Sequence, residues 1–295
     1  MAIALVTSFA DMINDDDMPF LQKACDRLDV STKVCAWDDS SIDWSVFDHV
    51  VLRSSWDYVD RRAEFLEWCE AVSRVSNLEN PLSVAKWSTD KSYLRDLANL
   101  GVPVIPSLYT YPGSDYVSDI KSFVSDYGSE REFVVKPTVG SRSQNVRRFR
   151  PGDIADASSH VGTILGGGIG AIIQPYLPSV DREGETDIVF FDRVYSHSIR
   201  KSALLMEDGT VNGPSPEFRT VRDADANERA VALSALDAAV EHLGLSRPLL
   251  YGRVDLVRDN HGKPMVLELD VCEPSLSFPF VPDAANAFAR VLSKL

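Results

Sequence analysis

Short apolar segments alternate with amphipathic segments at the start of the chain, and this order constrains the fold more than any other feature. Apolar runs predict three strands, at Ile3–Thr7, Lys33–Trp37 and His49–Arg53. Apolar residues at helical spacing predict helices over Met18–Leu28 and Asp60–Arg74. Strands that are separated by helices are typical of parallel pairing, because a parallel crossover needs about a dozen residues. We therefore expect an α/β chain that begins with a doubly wound parallel sheet.

The same criteria predict further elements beyond this first unit. A helix is expected over Ser83–Leu100, with Thr89 or Asp90 near an N-cap and Gly101 at its end. A β-hairpin is expected from Ile188–Phe191 and Arg193–Arg200. An alanine-rich segment predicts a long helix over Asp225–Leu243.

The last two predicted strands carry charged residues at a regular spacing. Arg253 and Asp255 lie two residues apart on one strand, and Glu268 and Asp270 lie two apart on the next. Residues two apart on a strand share a face, so pairing in register would gather three carboxylates and a guanidinium. Such a group needs a cation, and hard oxygen ligands select Mg²⁺. An amphipathic hairpin with cross-strand salt bridges shows the same alternation, so the spacing alone leaves both interpretations open.

Two other strand ends carry polar residues. Lys136 ends an apolar strand and precedes the small polar loop 138–145. This arrangement is typical of a lysine and a mobile loop that bind phosphates, but a surface lysine before a turn gives the same pattern. The apolar strand that ends at Gln174 is followed by Asp181 and Glu185. A strand end followed by acidic residues could bind a purine and then the hydroxyls of a ribose. A loop that is merely rich in carboxylates has the same order of residues.

Composition limits the partners. Lys and Arg number 30 and Asp and Glu 44, so the formal net charge is −14. A field of that sign repels nucleic acid and anionic membranes, and we expect neither as a partner. A local group of lysines with a divalent metal can still hold a small anion such as ATP.

Three negative observations bear on location. The apolar start of the chain lacks the basic residues of a signal peptide. No apolar run reaches the roughly 20 residues of a membrane span. The cysteines show no CxxC pair, so we expect reduced thiols in a cytoplasmic protein. They are Cys25, Cys35, Cys69 and Cys272.

The order of these parts resembles the ATP-grasp superfamily of carboxylate–amine ligases, from about Lys86 to Ser277. More narrowly, the chain resembles the subgroup that contains the D-cycloserine-forming ligase. The motifs of this narrower resemblance are Arg53-Ser-Ser-Trp56-Asp57-Tyr58, Trp87-Ser-Thr-Asp90-Lys91, Ser196-His197 with Lys201, Tyr251-Gly-Arg253-Val-Asp255 and Glu268-Leu-Asp270-Val-Cys-Glu273-Pro-Ser275-Leu.

The resemblance implies an ATP-grasp fold of three subdomains. The first, 1–82, would be the parallel α/β unit. The second, 83–177, would be a lid over the nucleotide. The third, 178–295, would carry the metal site. ATP would be the co-substrate, with Mg²⁺ as the metal and Mn²⁺ as its alternative.

The resemblance also implies roles for individual residues. Arg253 would stabilise an acyl phosphate and its adduct, and Lys136 would contact both the phosphates and the adenine. The ATP-binding residues would be Lys91, Lys136, Gln174, Tyr176, Leu177 and Glu185, with Asp181 as the alternative to Glu185. The metal ligands would be Asp255, Glu268 and Asp270.

Substrate contacts are expected from residues of three segments. Arg53 would pair with a carboxylate and Asp57 with an ammonium, although a capped helix start with a packed tryptophan is the alternative for that segment. His197 would be a base or a phosphate contact, although a single histidine in a hairpin is commonly structural. The other expected substrate contacts are Lys201, Glu273 and Ser275.

The expected reaction is the closure of a carboxylate by an internal amine, from O-ureido-D-serine to D-cycloserine with ADP, phosphate, CO₂ and NH₃. The alternatives are an intermolecular amino-acid or peptide ligase and a nucleotide-binding module without turnover. The resemblance also suggests a homodimer. Two departures from the family pattern are a loop with the single glycine Gly140 and the unfamiliar segment Met206–Arg222.

Overall fold

A computed structural model describes residues 1–127, 131–203, 205 and 219–295. These residues form three sheets, two of four strands and one of five. None of the helices in the described ranges is long and apolar enough to cross a membrane. The four cysteines are free and buried, as expected for reduced thiols.

The N-terminal unit is a parallel sheet with strand order β2-β1-β3-β4, as the alternating pattern predicts. Helix α1 packs on one face together with the C-terminal helix, and α2 packs on the other face. The sheet is therefore doubly wound. Its elements are β1 (Ala2–Thr7), α1 (Met18–Asp26), β2 (Ser31–Ala36), β3 (His49–Ser54), α2 (Arg62–Val72) and β4 (Asn77–Glu79).

The prediction of one helix over Ser83–Leu100 is wrong, because two helices, α3 (Leu82–Ser88) and α4 (Tyr93–Asn99), lie on either side of the N-cap candidates Thr89 and Asp90. Asp90 interrupts the helix because its carboxylate accepts the Ser92 amide, with N···O 2.9 Å. The Lys91 amide donates to the Thr138 carbonyl at 2.6 Å instead of to a helical carbonyl. This break fixes Lys91 beside loop 138–145.

The middle unit is an antiparallel sheet with strand order β5-β8-β6-β7. Helices α5 and α6 cover one face of this sheet. Helix α6 was not predicted from the sequence. Its buried residues Ala157, Val161, Ile164 and Leu165 form an apolar stripe at helical spacing. The elements are β5 (Leu108–Thr110), α5 (Tyr116–Tyr127), β6 (Phe133–Pro137), β7 (Arg147–Phe149), α6 (Ile154–Gly166) and β8 (Ala171–Pro175).

The C-terminal unit is an antiparallel sheet with strand order β11-β10-β9-β12-β13. One face packs on α4 and α8 through Ile188, Val254 and Leu269, and the opposite face carries the charged residues. The long helix begins with a capping box formed by Asp225 and Glu228. The elements are α7 (Ser179–Glu183), β9 (Glu185–Phe191), β10 (Val194–Lys201), β11 (Arg219–Arg222), α8 (Ala226–His242), β12 (Tyr251–Arg258), β13 (Pro264–Asp270) and α9 (Pro282–Leu292).

Buried polar side chains join the N-terminal unit to the C-terminal sheet. The Asn80 amide nitrogen donates to the carbonyls of Tyr251 and Val271, at 3.0 and 2.8 Å, and its oxygen accepts the Leu250 amide at 2.7 Å. The Tyr251 hydroxyl lies 2.6 Å from the carbonyl oxygens of Leu52 and Cys272. These contacts hold the first sheet against the strands that carry the charged cluster.

We expect Asn80→Asp to destabilise the protein by about 3 kcal/mol, because a carboxylate cannot donate to the two buried carbonyls. Asn77→Asp is the matched control, since Asn77 also donates one hydrogen bond, to the Asp48 carbonyl at 2.9 Å, but at an exposed position, and a loss of at most about 1 kcal/mol is expected for it. Chemical denaturation measures both free energies of unfolding. Equal values for the two variants would contradict the assigned cross-link.

Candidate active site

A cavity of about 1410 Å³ lies between the middle sheet and the C-terminal sheet. Loop 138–145 and the segment after β13 form part of its walls, and residues from the loop after β1 also line it. The residues expected to bind ATP, metal and substrate converge on this cavity, with four exceptions described below.

Strand register brings the carboxylates together. Asp255 lies opposite Glu268 on one neighbouring strand and opposite Asp187 on the other, and Arg253 lies opposite Asp270. Residues that are paired across strands share a face, so these five side chains occupy one surface of the sheet. The predicted gathering of three carboxylates and one guanidinium is confirmed.

Asp187 belongs to this surface although the sequence interpretation did not select it. One carboxylate oxygen from each of Glu185, Asp187 and Asp255 lies within 4.8 Å of the others. The signal was present in the sequence, because Glu185 and Asp187 have the same two-residue spacing as Arg253 and Asp255. That Asp187 joins the carboxylate cluster follows only from the pairing of β9 with β12, which the spacing does not reveal.

Two buried cations partly balance these acids. The Arg253 Nε and Nη2 atoms donate to the two oxygens of Asp255 at 2.7 and 2.9 Å. Nη2 lies 3.4 Å from Asp270, and Nη1 donates to the Ser275 carbonyl at 3.1 Å. Lys201 Nζ lies 2.7 Å from Asp187 Oδ2. The guanidinium is therefore held in one orientation.

Two more lysines approach from the other side of the cavity. Lys91 Nζ lies 3.0 Å from Glu268 Oε1 and donates to the Gly140 carbonyl at 2.6 Å. Lys136 lines the cavity from β6 and is buried. Burial lowers the pKa of Lys136 to about 8. A bound polyanion would favour the charged form of this ammonium.

Burial and mutual repulsion also shift the acids. Burial raises the pKa of Glu185 to about 7, and the charges of Asp255 and Asp187 add to that rise against the lowering by Lys201. Burial and the neighbouring Asp255 raise the pKa of Asp187 to about 6. For Asp255, burial opposes ionisation, but Arg253 and Lys201 outweigh it and lower the pKa. The cluster thus has negative charge that its own cations do not fully stabilise.

The expected adenine and ribose residues divide into two groups. Gln174, Tyr176, Leu177 and Glu185 line the cavity. Asp181 instead accepts the Tyr176 hydroxyl at 2.5 Å and an Arg148 hydrogen bond at 3.2 Å, and it is not among the described residues of the cavity wall. Of the two acids considered for the ribose, the geometry favours Glu185.

Three of the expected substrate residues line the cavity: Lys201, Glu273 and Ser275. Burial and the charge of Asp270 raise the pKa of Glu273 well above its usual value. Arg219, from the described end of segment 206–222, also lines the cavity, and its Nη1 lies 3.5 Å from the Ser275 hydroxyl. The rest of that segment, 206–218, lies outside the described residues.

Three other expected substrate residues do not form part of the cavity wall in the described chain. Arg53 is buried, donates to the Pro274 carbonyl at 3.1 Å and lies over the Tyr251 ring at 5.6 Å. Asp57 accepts the Trp37 indole N–H at 2.9 Å and lies 3.2 Å from an Arg61 nitrogen. The His197 Nε2 atom lies 2.7 Å from the Leu276 carbonyl oxygen. Each therefore has protein partners, although the buried Nε and Nη1 atoms of Arg53 have no hydrogen-bond partner among the described residues.

Asp17 supports the wall that carries Ser275. Its carboxylate accepts the amides of Leu276 and Phe278 at 2.5 and 2.6 Å, and the Arg53 guanidinium lies 3.9 Å away. The sequence showed only an acidic run at 15–17, which carries no information about a partner more than 250 residues away. Asp17 thus connects the start of α1 to the segment after β13.

The arrangement suits a specific chemistry. Lysines at the rim of a carboxylate cluster can hold a polyphosphate together with a divalent cation, and a fixed guanidinium can stabilise an oxyanion. The cavity is large enough for a nucleotide and a small second molecule.

Comparison with known proteins agrees with this geometry. The family model for the N-terminal domain of D-cycloserine synthetase DcsG matches residues 3–80. The cycloserine biosynthesis protein DcsG of Streptomyces lavendulae is 50% identical over 292 residues, which cover 99% of this chain and 98% of that protein.

Solved structures give the same result for the fold. The crystal structure of D-cycloserine synthetase DcsG has a TM-score of 0.96 at 50% identity, covering 100% of this chain and 99% of that one. The ATP-grasp ligase PsnB, in a complex with Mg and ADP, has a TM-score of 0.68 at 16% identity, covering 99% and 97%. The second likeness concerns the fold alone, and the predicted ATP-grasp fold is confirmed.

We expect Asp17→Ala to loosen the segment after β13, because the amides of Leu276 and Phe278 lose a charged acceptor. Hydrogen–deuterium exchange of peptides covering 274–279 should become about tenfold faster. Asp16→Ala is the control, since Asp16 is exposed in the same run. Unchanged exchange in Asp17→Ala would contradict this role, and faster exchange throughout β1–β4 would indicate general destabilisation instead.

Proposed function

The chain belongs to the D-cycloserine synthetase family of ATP-grasp ligases, and we propose that it closes O-ureido-D-serine to D-cycloserine. It is an ATP-dependent ligase, so bond formation is coupled to ATP cleavage. The other products in this proposal are ADP, phosphate, CO₂ and NH₃. The observation that carries the proposal is that Arg253, three lysines and the carboxylates Asp255, Glu268 and Asp270 line one cavity.

The donor set fits a magnesium ion. Asp255, Glu268 and Asp270 line the cavity from one face of the sheet, and a hard divalent cation prefers carboxylate oxygens of this kind. We assign Asp255, Glu268 and Asp270 as the residues that would hold Mg²⁺, or Mn²⁺ as its alternative. Bound there, the ion would screen the charge of the triphosphate.

The lysines would hold the phosphates. Lys136 faces the acids from β6 of the middle sheet, Lys91 faces them from the break between α3 and α4, and Lys201 faces them from β10. Their ammonium groups would neutralise the negative charge of the transferred phosphoryl group. Phosphoryl transfer depends chiefly on positioning and on charge stabilisation of this kind. Gln174, Tyr176 and Leu177 would contact the adenine, and Glu185 would bind the ribose.

Carboxyl activation makes ring closure feasible. A carboxylate is a poor electrophile, because its charge repels nucleophiles and its oxygen leaves badly. Phosphorylation gives an acyl phosphate, and the substrate nitrogen bonded to the side-chain oxygen then attacks the carbonyl carbon. Arg253, fixed by Asp255 and the Ser275 carbonyl, would stabilise the oxyanion that forms.

Every group of the substrate is accounted for in the products. The new C–N bond closes a five-membered isoxazolidinone, and phosphate leaves the carbonyl carbon. Water then removes the carbamoyl group as CO₂ and NH₃. Glu273, Ser275 and Arg219 lie on the wall beside the cluster and are our candidates for contacts to the amino-acid part of the substrate. Arg53, Asp57 and His197 are better explained as supports behind that wall.

The decisive assay measures ADP release with Mg-ATP and one candidate substrate at a time. We expect release with O-ureido-D-serine and D-cycloserine by mass spectrometry, with much less release for the L isomer. Release that requires two different amino acids would replace the proposal with an intermolecular ligase. Release of ADP with O-ureido-D-serine but without cycloserine would exclude ring closure as the reaction.

We expect Glu268→Gln to reduce turnover by about 100-fold or more, since it removes a charge from the assigned metal site. Glu183→Gln is the control, because Glu183 is half-exposed near Arg258 and lies outside the cavity wall that the structure describes. ADP release and the thermal midpoint are measured for both. Wild-type turnover in a folded Glu268→Gln protein would disprove the assignment, and adding EDTA to the wild type should likewise stop ADP release.

A further inference from the structure

Loop 138–145 crosses the cavity in a conformation that contacts must hold. Gly140, Ser141, Arg142, Ser143 and Gln144 form part of the cavity wall. Arg142, Ser143 and Asn145 have φ values of 51°, 56° and 56°, in the left-handed region that side chains other than glycine rarely adopt. Such a conformation persists only where the surroundings favour it.

Arg142 supplies a contact from this loop to the N-terminal unit. Its Nη2 atom donates to Asp11 Oδ1 at 2.6 Å, and its guanidinium lies over the Trp56 ring, 4.8 Å from the centroid. The Arg142 side chain is half-exposed and that of Asp11 is buried, at 52% and 4% exposure. One partner is therefore anchored in the protein, and the other can leave it.

Asp11 and Trp56 are held by further hydrogen bonds, which connect them to the substrate wall. Asp11 Oδ2 accepts the Ser8 hydroxyl and the Asp57 amide, both at 3.0 Å. The Trp56 indole N–H donates to the Glu273 carbonyl at 2.8 Å, two residues before Ser275. Contacts thus run from the loop beside the phosphate lysines to the wall where we place the amino-acid substrate.

We propose that Arg142 is a positioning residue whose contact with Asp11 and Trp56 keeps loop 138–145 closed while the acyl phosphate exists. The inference rests on the proposed function, because an acyl phosphate is its intermediate. Closure excludes water from the cavity and holds the substrate nitrogen near the activated carbon. The contact defined by Arg142, Asp11 and Trp56 is called the latch below.

Opening of the latch has a chemical signature. When the substrate nitrogen attacks, the carbonyl carbon forms a C–N bond and its bond to the phosphate oxygen breaks. When water attacks, the same bond breaks, the carboxylate is regenerated, and phosphate and a proton are released. The second route consumes ATP without product, so the ratio of ADP to cycloserine reports how well the loop stays closed.

The test compares this ratio in Arg142→Gln, Asp11→Asn and wild type. We expect a ratio near one in the wild type and about tenfold more ADP per cycloserine in both variants, since each removes the charged hydrogen bond. Arg142→Lys keeps the charge and should restore much of the coupling. Arg150→Gln is the control, because Arg150 is exposed beyond β7 and should behave as wild type. Both latch substitutions replace a side chain by one of similar or smaller size, and circular dichroism checks their folding.

Limited trypsin digestion tests the latch without any substrate. Trypsin can cut after Arg142 in both wild type and Asp11→Asn, and we expect about tenfold faster cutting at that bond in the variant. An unchanged cutting rate, or a wild-type ratio of ADP to cycloserine in both variants, would overturn the proposal. If wild type makes no cycloserine, the proposed function fails, and the digestion alone then decides whether Asp11 holds the loop.

Discussion

The structure depends on the crowding of carboxylates onto one face of the C-terminal sheet. Register places Asp187, Asp255 and Glu268 side by side across three strands, where burial opposes the ionisation of each carboxylate. Arg253 and Lys201 offset part of that cost from within the same sheet. The remaining negative charge requires cations from outside this sheet, and the lysines of the neighbouring elements supply some of them.

This requirement explains how the three units are arranged. The middle sheet contributes Lys136, and the break between α3 and α4 contributes Lys91, so both lysines face the acids across the cavity. The N-terminal unit has no residue in the charged cluster itself. Its buried Asn80 and Asp17 instead hold the strands and the segment that carry the cluster. A support of this kind keeps charged groups at fixed positions, which electrostatic catalysis needs.

Sequence patterns predicted the parts of the site that depend on local geometry. The hairpin of β12 and β13 could be predicted because the alternation of side chains along a strand is a property of the strand itself. The sequence marked Thr89 or Asp90 as an N-cap candidate but did not predict that the helix divides there, because the contact between Lys91 and Thr138 is a tertiary one. Arg53 and His197 attracted a functional interpretation because a polar residue near a strand end looks the same in sequence whether it faces a cavity or a protein carbonyl.

By itself, the sequence determined the order of the elements, the apolar faces and the residue types that share each strand face. Periodicity encodes all of these over a few residues. Only the tertiary structure decided which strands are neighbours, and therefore that Asp187 faces Asp255 and that Arg142 reaches Asp11. These pairs join residues far apart in the chain, and their distance is set by how the three units pack, for which no local pattern carries a signal.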